Sequence, residues 1–171
     1  NFVTGYQDNL TNAKNKYPEN FHFIQGDITD QSVFKELPRG FSAVLNLASP
    51  ASPIDFERIP LEILRTGSIG TENMLKIAKK DGARFLQAST SEVYGDPLEH
   101  PQKESYLGNV NPIGPRACYD ESKRFSEALV FAYRRKEGVN TGLFRIFNTY
   151  GPRMRLDDGR VVPQFMAQAL Q

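Results

Sequence analysis

The chain is poor in cysteine and histidine and carries almost no net charge, and each shortage closes off a class of function. Among its 171 residues there is one cysteine, Cys118, so no internal disulfide can form, which fits a cytoplasmic setting. With no histidine beside it, the Cys118 thiol reads as a packing residue rather than a nucleophile. His22 and His100 are the only histidines, and with a single cysteine they leave too few donors for a dedicated zinc site. Lysine plus arginine number 21 against 20 aspartate plus glutamate, which gives no electrostatic case for binding nucleic acid or a membrane surface. No run approaches the ~18 apolar residues of a membrane span, and no signal peptide opens the chain. A glycine-rich phosphate turn is also missing: there is no G-x-G-x-x-G or G-x-x-G-x-x-G. The nearest approach, Gly67-x-x-Gly70, falls inside an expected helix and reads as close helix packing.

What is present alternates strand and helix. Phe21–Ile24 reads as a strand, followed by the polar turn Gly26-Asp27-Ile28-Thr29-Asp30 and a short helix through Val33 to Leu37. Ala43–Ala48 is apolar apart from Asn46, the pattern of a strand covered on both faces. A long helix is expected from Pro60 to Lys80, with proline in its first turn, Ile63, Ile69, Leu75 and Ile77 within it and Gly82 just past its end. A strand over Arg84–Ala88, a Pro- and Gly-rich loop over Gly95–Pro115, a helix over Tyr119–Lys136 and a strand over Thr141–Phe147 complete the pattern. Arg134, Arg135 and Lys136 then complement the dipole at a helix end. This rhythm implies an α/β fold with a doubly wound parallel sheet.

Two segments hold the chemistry. Tyr119-x-x-x-Lys123 spaces a phenol and an ammonium by about one helical turn, so both project from one face. A cation one turn away favours the phenolate, and Tyr119 then takes a proton from a hydroxyl. Upstream, Arg84–Tyr94 is an apolar run that delivers Ser89, Thr90, Ser91 and Glu92 at the carboxyl end of a strand, where open parallel sheets place ligand sites. Any of the three hydroxyls could hold the reacting oxygen, and Glu92 offers a second acid or base.

The runs S-T-S-E-V-Y-G-D-P (from Ser89), N-V-N-P-I-G-P-R-A-C-Y-D-E-S-K-R (from Asn109) and R-I-F-N-T-Y-G-P-R-M-R-L-D-D-G-R-V-V-P (from Arg145) occur in this order. Together they resemble UDP-glucuronate decarboxylase, or UDP-xylose synthase, of the extended short-chain dehydrogenase/reductase group. The resemblance runs from Asn1 to Gln171 and implies a Rossmann-like fold, apparently truncated at both ends. Residues 1–150 are expected to be a partial NAD-binding domain lacking the first strand and its glycine-rich turn, beginning about thirty residues late. Residues 151–171 are expected to open the sugar-nucleotide-binding region. The segment alone is expected to fold poorly and to bind cofactor weakly.

The resemblance also assigns roles. Thr90, Ser91, Glu92, Tyr119 and Lys123 are implied catalytic residues. NAD contacts are implied for Asn1, Phe2, Thr4, Asp27, Ile28, Leu47, Ala48, Ser49, Thr66, Ala88, Tyr119, Lys123, Thr149 and Arg160, and substrate contacts for Arg65, Tyr133 and Asn148. On residue type alone, Asp27 reads equally as part of a turn, Asn148 as a cap, and Tyr133 as core. Arg65 stands where relatives often have lysine, which keeps the charge but alters its geometry. The implied substrate is UDP-glucuronate and the implied assembly a homodimer that pairs the two long helices, with Leu129, Val130 and Phe131 serving either that surface or the core. Rival activities are a dTDP-glucose 4,6-dehydratase, disfavoured because Ser91 stands where that chemistry uses an acid, and a UDP-sugar 4-epimerase. A catalytically silent NAD- or sugar-nucleotide-binding module is the non-enzymatic rival, and it has no use for Tyr119, Lys123 and Glu92 together.

Overall fold

The computed structural model describes residues 1–155 and 157–170; residues 156 and 171, which fall in the segment expected to open the sugar-nucleotide region, lie outside the described residues. Three strands, β1 (Ala43–Asn46), β2 (Arg84–Thr90) and β3 (Thr141–Ile146), form a parallel sheet in the order β1-β2-β3. The register sets Asn46 beside Gln87 and Ile146 beside Thr90, so the carboxyl ends of all three strands face one edge. Among the described residues six α-helices accompany them: α1 (Thr11–Lys16), α2 (Pro53–Arg58), α3 (Pro60–Arg65), α4 (Thr71–Asp81), α5 (Ala117–Glu137) and α6 (Val161–Ala169). None of these is long and apolar enough to cross a membrane.

The expected long helix from Pro60 is α3 and α4 joined through a π-helical segment, Thr66–Gly70. Proline starts it, and Gly82 ends it in the left-handed conformation, φ 65°, which a residue with a Cβ adopts at a cost. Gly67 and Gly70 are close-packing residues, as expected. A Cβ on Gly67 would lie 2.6 Å from the Ser122 Cβ of α5, and one on Gly70 2.6 Å from Ile28 Cδ1.

Helices α4 and α5 cover one sheet face. The core there joins Val44, Leu75, Ala78, Phe85, Val130 and Val139, flanked by Leu129 and Tyr133. Asn46, Thr71 and Ser126 are paired there, whereas the Thr141 hydroxyl has no partner among the described residues: Asn46 Nδ2 donates to Gln87 Oε1 at 3.0 Å and Thr71 Oγ1 at 3.2 Å, and Ser126 Oγ donates to Gly67 O at 2.7 Å. Such satisfaction is what buried amides and hydroxyls require.

Three expectations change. Ala43–Ala48 is not covered on both faces: Val44 and Asn46 are buried, while Leu45 and Leu47 point to the opposite side and are more than half exposed, because no described helix packs there. Phe21–Ile24 is not a strand, since a strand exists only through a partner and no described strand pairs with this segment. The short helix after Asp30 is a 3-10 turn over Gln31–Lys35, with the Asp30 side chain accepting from Ser32 N.

Candidate active site

Strand β2 ends at Thr90, and a 3-10 turn, Ser91–Tyr94, follows without a gap. The buried Thr90 hydroxyl accepts from Glu92 N at 3.2 Å, which fixes the turn and holds Ser91 and Glu92 at the sheet's carboxyl edge. Helix α5 crosses the same edge. Tyr119 lies in its first turn and Lys123 one turn on, both buried. Lys123 Nζ donates to Ala88 O at 3.0 Å, pinning α5 to β2, and lies 5.7 Å from the Tyr119 ring centroid. The phenol ring stacks on Phe56 of α2, with centroids 4.9 Å apart.

The electrostatics differ from the expectation that Lys123 acidifies Tyr119. Burial pushes the Tyr119 phenol above its ordinary range; Thr90 and Arg160 pull the other way, and Glu92 and Asp120 reinforce the rise. Burial also lowers Lys123 to about 8. Desolvation penalises phenolate and ammonium alike, so in the ligand-free protein it outweighs the pairing that the spacing predicts.

Glu92 is held by Arg116, which hydrogen-bonds its Oε2. Both line a cavity of about 540 Å³ together with Asp120, whose carboxyl is raised to about 6, chiefly by burial. Arg160 is bonded to Asp158 through two nitrogens. Its segment is tied to α2, where Ser52 Oγ donates to Asp158 O at 2.6 Å and Arg155 lies 3.6 Å from Asp55.

Around this cluster the structure sorts the remaining expected site residues. Leu47, Ala48 and Ser49 follow β1, and Asn148 and Thr149 follow β3, on the same edge of the sheet; Thr149 Oγ1 donates to Phe147 O at 2.9 Å. Asn1 Nδ2 donates to Asp27 Oδ2 at 2.6 Å, and Thr29 donates to Asp27 Oδ1 through both its backbone N and its hydroxyl. Burial pushes the Asp27 carboxyl up, but these bonds outweigh it and hold the group below its ordinary range. Phe2 packs beside Phe23 and Thr4 is half-buried nearby in sequence, while Ile28 O accepts from Asn73 of α4 at 3.0 Å. Thr66 opens the π segment, half-buried, and Arg65 is exposed at the end of α3.

Two residues leave the cluster. Ser89 points to the opposite sheet face from Thr90, where its hydroxyl donates to Glu127 Oε1 at 2.5 Å, so strand alternation removes it from the candidates for holding the reacting oxygen. Tyr133 lies about 21 Å along α5 from Tyr119, given ~1.5 Å per residue. It packs on the core, with its hydroxyl donating to Glu72 Oε1 at 3.4 Å. Phe56, Arg116 and Asp120 escape the sequence reading. Arg116 and Asp120 flank Tyr119 within one turn, which is a legible signal; Phe56, distant in sequence, offers none.

A family model described as the NAD dependent epimerase/dehydratase family matches residues 3–171. Over all 171 residues the chain is 53% identical to UDP-glucuronic acid decarboxylase 6 of Arabidopsis thaliana and 52% identical to UDP-glucuronic acid decarboxylase 1 of Xenopus tropicalis, covering 48% and 39% of those proteins. It therefore spans about half the length, or less, of the curated relatives it matches. Among solved structures, DesIV, a dTDP-glucose 4,6-dehydratase from Streptomyces venezuelae with NAD and TYD bound, superposes with a TM-score of 0.84 at 26% identity, over 97% of this chain and 49% of that one. A UDP-N-acetylglucosamine 4-epimerase from Methanobrevibacter ruminantium M1 superposes with a TM-score of 0.83 at 26% identity, over 99% of this chain and 53% of that one. With the parallel sheet, the Tyr119–Lys123 pair and a family match that spans residues 3–171, the chain belongs to the NAD dependent epimerase/dehydratase family.

Proposed function

We propose that the full-length protein carrying this chain decarboxylates UDP-glucuronate to UDP-xylose through a 4-keto intermediate, with NAD reduced and reoxidised within one turnover. The observation that supports this best is the gathering of Thr90, Ser91 and Glu92 beside Tyr119 and Lys123, in a chain 53% identical to a UDP-glucuronic acid decarboxylase. Residues 1–150 then act as part of an NAD-binding unit, and 151–171 as the opening of the sugar-nucleotide region.

The donor set fits the cofactor. An ammonium has three donors, and Lys123 uses one on Ala88 O, leaving two for the adjacent hydroxyls of a ribose. The Asp27 carboxylate, hydrogen-bonded to Asn1 and Thr29, together with Ile28 suits the adenine; Phe2, Thr4, Leu47, Ala48, Ser49, Thr66, Ala88, Thr149 and Arg160 would border the same molecule. When bound, the nicotinamide would supply a reversible hydride acceptor for sugar C4, with no net redox change over a turnover.

The chain's own residues handle protons and position. Tyr119 removes the proton of the sugar 4-hydroxyl and later restores it, while Thr90 holds that oxygen. Because burial keeps the phenol protonated in the free protein, the reacting complex has to promote its ionisation, and Arg160 already pulls that way. Oxidised at C4, the sugar is a β-keto acid and loses carbon dioxide, since the carbanion at C5 is delocalised into the ketone. Ser91 and Glu92 position the ring and its carboxylate and manage the proton at C5, Asn148 holds the diphosphate, and Arg65 lies toward the substrate. Ser91 favours this reaction over dehydration, which needs a stronger acid than a serine hydroxyl at that position.

A homodimer is part of the proposal. Leu61, Leu64 and Phe125 are exposed on the two long helices, and Phe131 joins them while Val130 and Leu129 turn to the core. A cytoplasmic setting is consistent with the lone, unpaired Cys118.

The test is to incubate the full-length protein with UDP-glucuronate and NAD+ and to follow carbon dioxide and the nucleotide-sugar product by mass and NMR. UDP-xylose without build-up of NADH is expected. Turnover of a neutral hexose nucleotide without carbon dioxide would move the assignment to a dehydratase or epimerase. Tyr119→Phe is expected to lower kcat by ~10²–10⁴ with ligand binding retained; unchanged turnover would remove Tyr119 from the chemistry.

A further inference from the structure

Decarboxylation of a sugar carboxylate consumes one proton per turnover. The electron pair of the broken C–C bond stays on C5, carbon dioxide departs without a proton, and C5 must then take one up. Tyr119 cannot supply it, because the proton it removes from the 4-hydroxyl is needed again when the ketone is reduced. The proton therefore enters from solvent, into a site where Thr90, Tyr119 and Lys123 are buried and Ser91 and Glu92 half-buried.

Asp120 is the group placed to carry it. This residue is 7% exposed, and its Oδ1 is buried with no hydrogen-bond partner among the described residues, an arrangement that a buried carboxylate avoids unless another group or water completes it. It lines the same cavity of about 540 Å³ as Glu92 and Arg116, a space with room for a chain of water. Arg116, Asn109 and Asn111 on the lining are exposed, so the cavity reaches solvent. Three charged groups act on the carboxyl besides its burial: Arg116 stabilises its charge, whereas Glu92 and Glu121 oppose it. Asp96 also borders the cavity. The balance raises the Asp120 carboxyl to about 6, while Arg116 occupies the carboxylate of Glu92.

We propose that Asp120 is the proton-entry group of this reaction, taking a proton from solvent through the cavity and passing it by way of water to Glu92, which delivers it to C5. The step balances: solvent loses one proton, C5 gains it, and Asp120 and Glu92 return to their starting states. The proposal rests on the decarboxylase reading above.

The test uses full-length protein, UDP-glucuronate and NAD+, with bound NADH followed at its absorbance band in single turnovers, carbon dioxide measured in parallel, and melting curves for every variant. For Asp120→Asn we expect KM to hold, NADH and carbon dioxide to form at the wild-type rate, and the subsequent decay of NADH to slow by ~10-fold or more, the scale of a lost proton-transfer group. Steady-state kcat of the wild type should fall as pH rises through the range in which Asp120 ionises, and this limb should vanish in Asp120→Asn. Asp120→Glu should restore both the decay rate and the limb. A folded Asp120→Asn protein with wild-type NADH decay overturns the proposal while leaving the decarboxylase reading intact. If Asp120→Asn melts early, Asp120→Glu decides: a folded variant that fails to hold the wild-type decay overturns the proposal. Wild-type protein that releases no carbon dioxide removes the decarboxylase reading itself, and the proposal with it.

Discussion

Replacing Gly67 with alanine is expected to destabilise the protein and slow it, even though alanine is the better helix former by ~1 kcal/mol. The new Cβ would sit 2.6 Å from Ser122 Cβ and 2.8 Å from Ser122 O. Carbon atoms in good contact are ~3.5–4.0 Å apart, so the two helices would have to separate by roughly 1 Å. No side-chain rotation relieves this, because a Cβ and a carbonyl oxygen move only with their backbone. Overpacking of this kind costs ~1–3 kcal/mol. The separation also stretches the 2.7 Å bond from Ser126 Oγ to Gly67 O, and a typical hydrogen bond contributes ~1 kcal/mol. Set against the helix-propensity gain, the net loss comes to ~1–3 kcal/mol, read as a lower midpoint in urea unfolding at unchanged slope. Ser122 stands beside Lys123 and within a turn of Tyr119, so moving α5 shifts both relative to Thr90, and kcat should fall by ~10-fold or more, given that a 1 Å misplacement can cost ~10²-fold. Gly67→Ala with Ser122→Gly removes the Cβ contact but not the carbonyl, so it should recover only part of the loss. A Gly67→Ala protein as stable and as active as wild type would refute the reasoning.

Two further perturbations test the electrostatics. Lys123 is lowered from 10.5 to about 8 in the folded protein, so between those values the unfolded chain binds more protons, and stability should rise as pH climbs from 8 toward 10, a slope that Lys123→Met abolishes; parallel urea midpoints for the two proteins across that range would contradict it. Glu127 accepts from Arg145 Nε at 2.9 Å and Nη2 at 2.8 Å and also from Ser89, so Glu127→Ala strands a guanidinium in a partly buried site and should cost ~2–4 kcal/mol. Removing Arg145 as well should return some of that loss in a double-mutant cycle, and strict additivity would mean that the pair is uncoupled.

Much of the site was legible because its logic is periodic and local. The one-turn spacing of Tyr119 and Lys123 held, as did the delivery of Thr90, Ser91 and Glu92 at a strand end. Proline and glycine punctuation located the long helix from Pro60 to Gly82. Its π-helical stretch was not legible, since that stretch sits where Gly67 meets Ser122 of another helix. The same limit explains Ser89 and Tyr133. Alternation says that Ser89 and Thr90 face opposite ways, and helical phase limits what Tyr133 can reach, but which face holds the site depends on what packs there.

The sequence by itself determined the α/β class, the helix and strand positions near the site and the one-turn spacing of the groups proposed to move protons, because hydrophobic period, turn residues and residue chemistry are properties of short segments. Only the tertiary structure decided how those groups ionise and what surrounds them. Phe56 reaches Tyr119 from a separate helix, Arg116 takes Glu92, and Asp120 is left buried beside a cavity. Burial is a sum over segments far apart in the chain, and it overrides the pairing of Tyr119 with Lys123 because removing water from a charge costs more than a neighbouring cation returns.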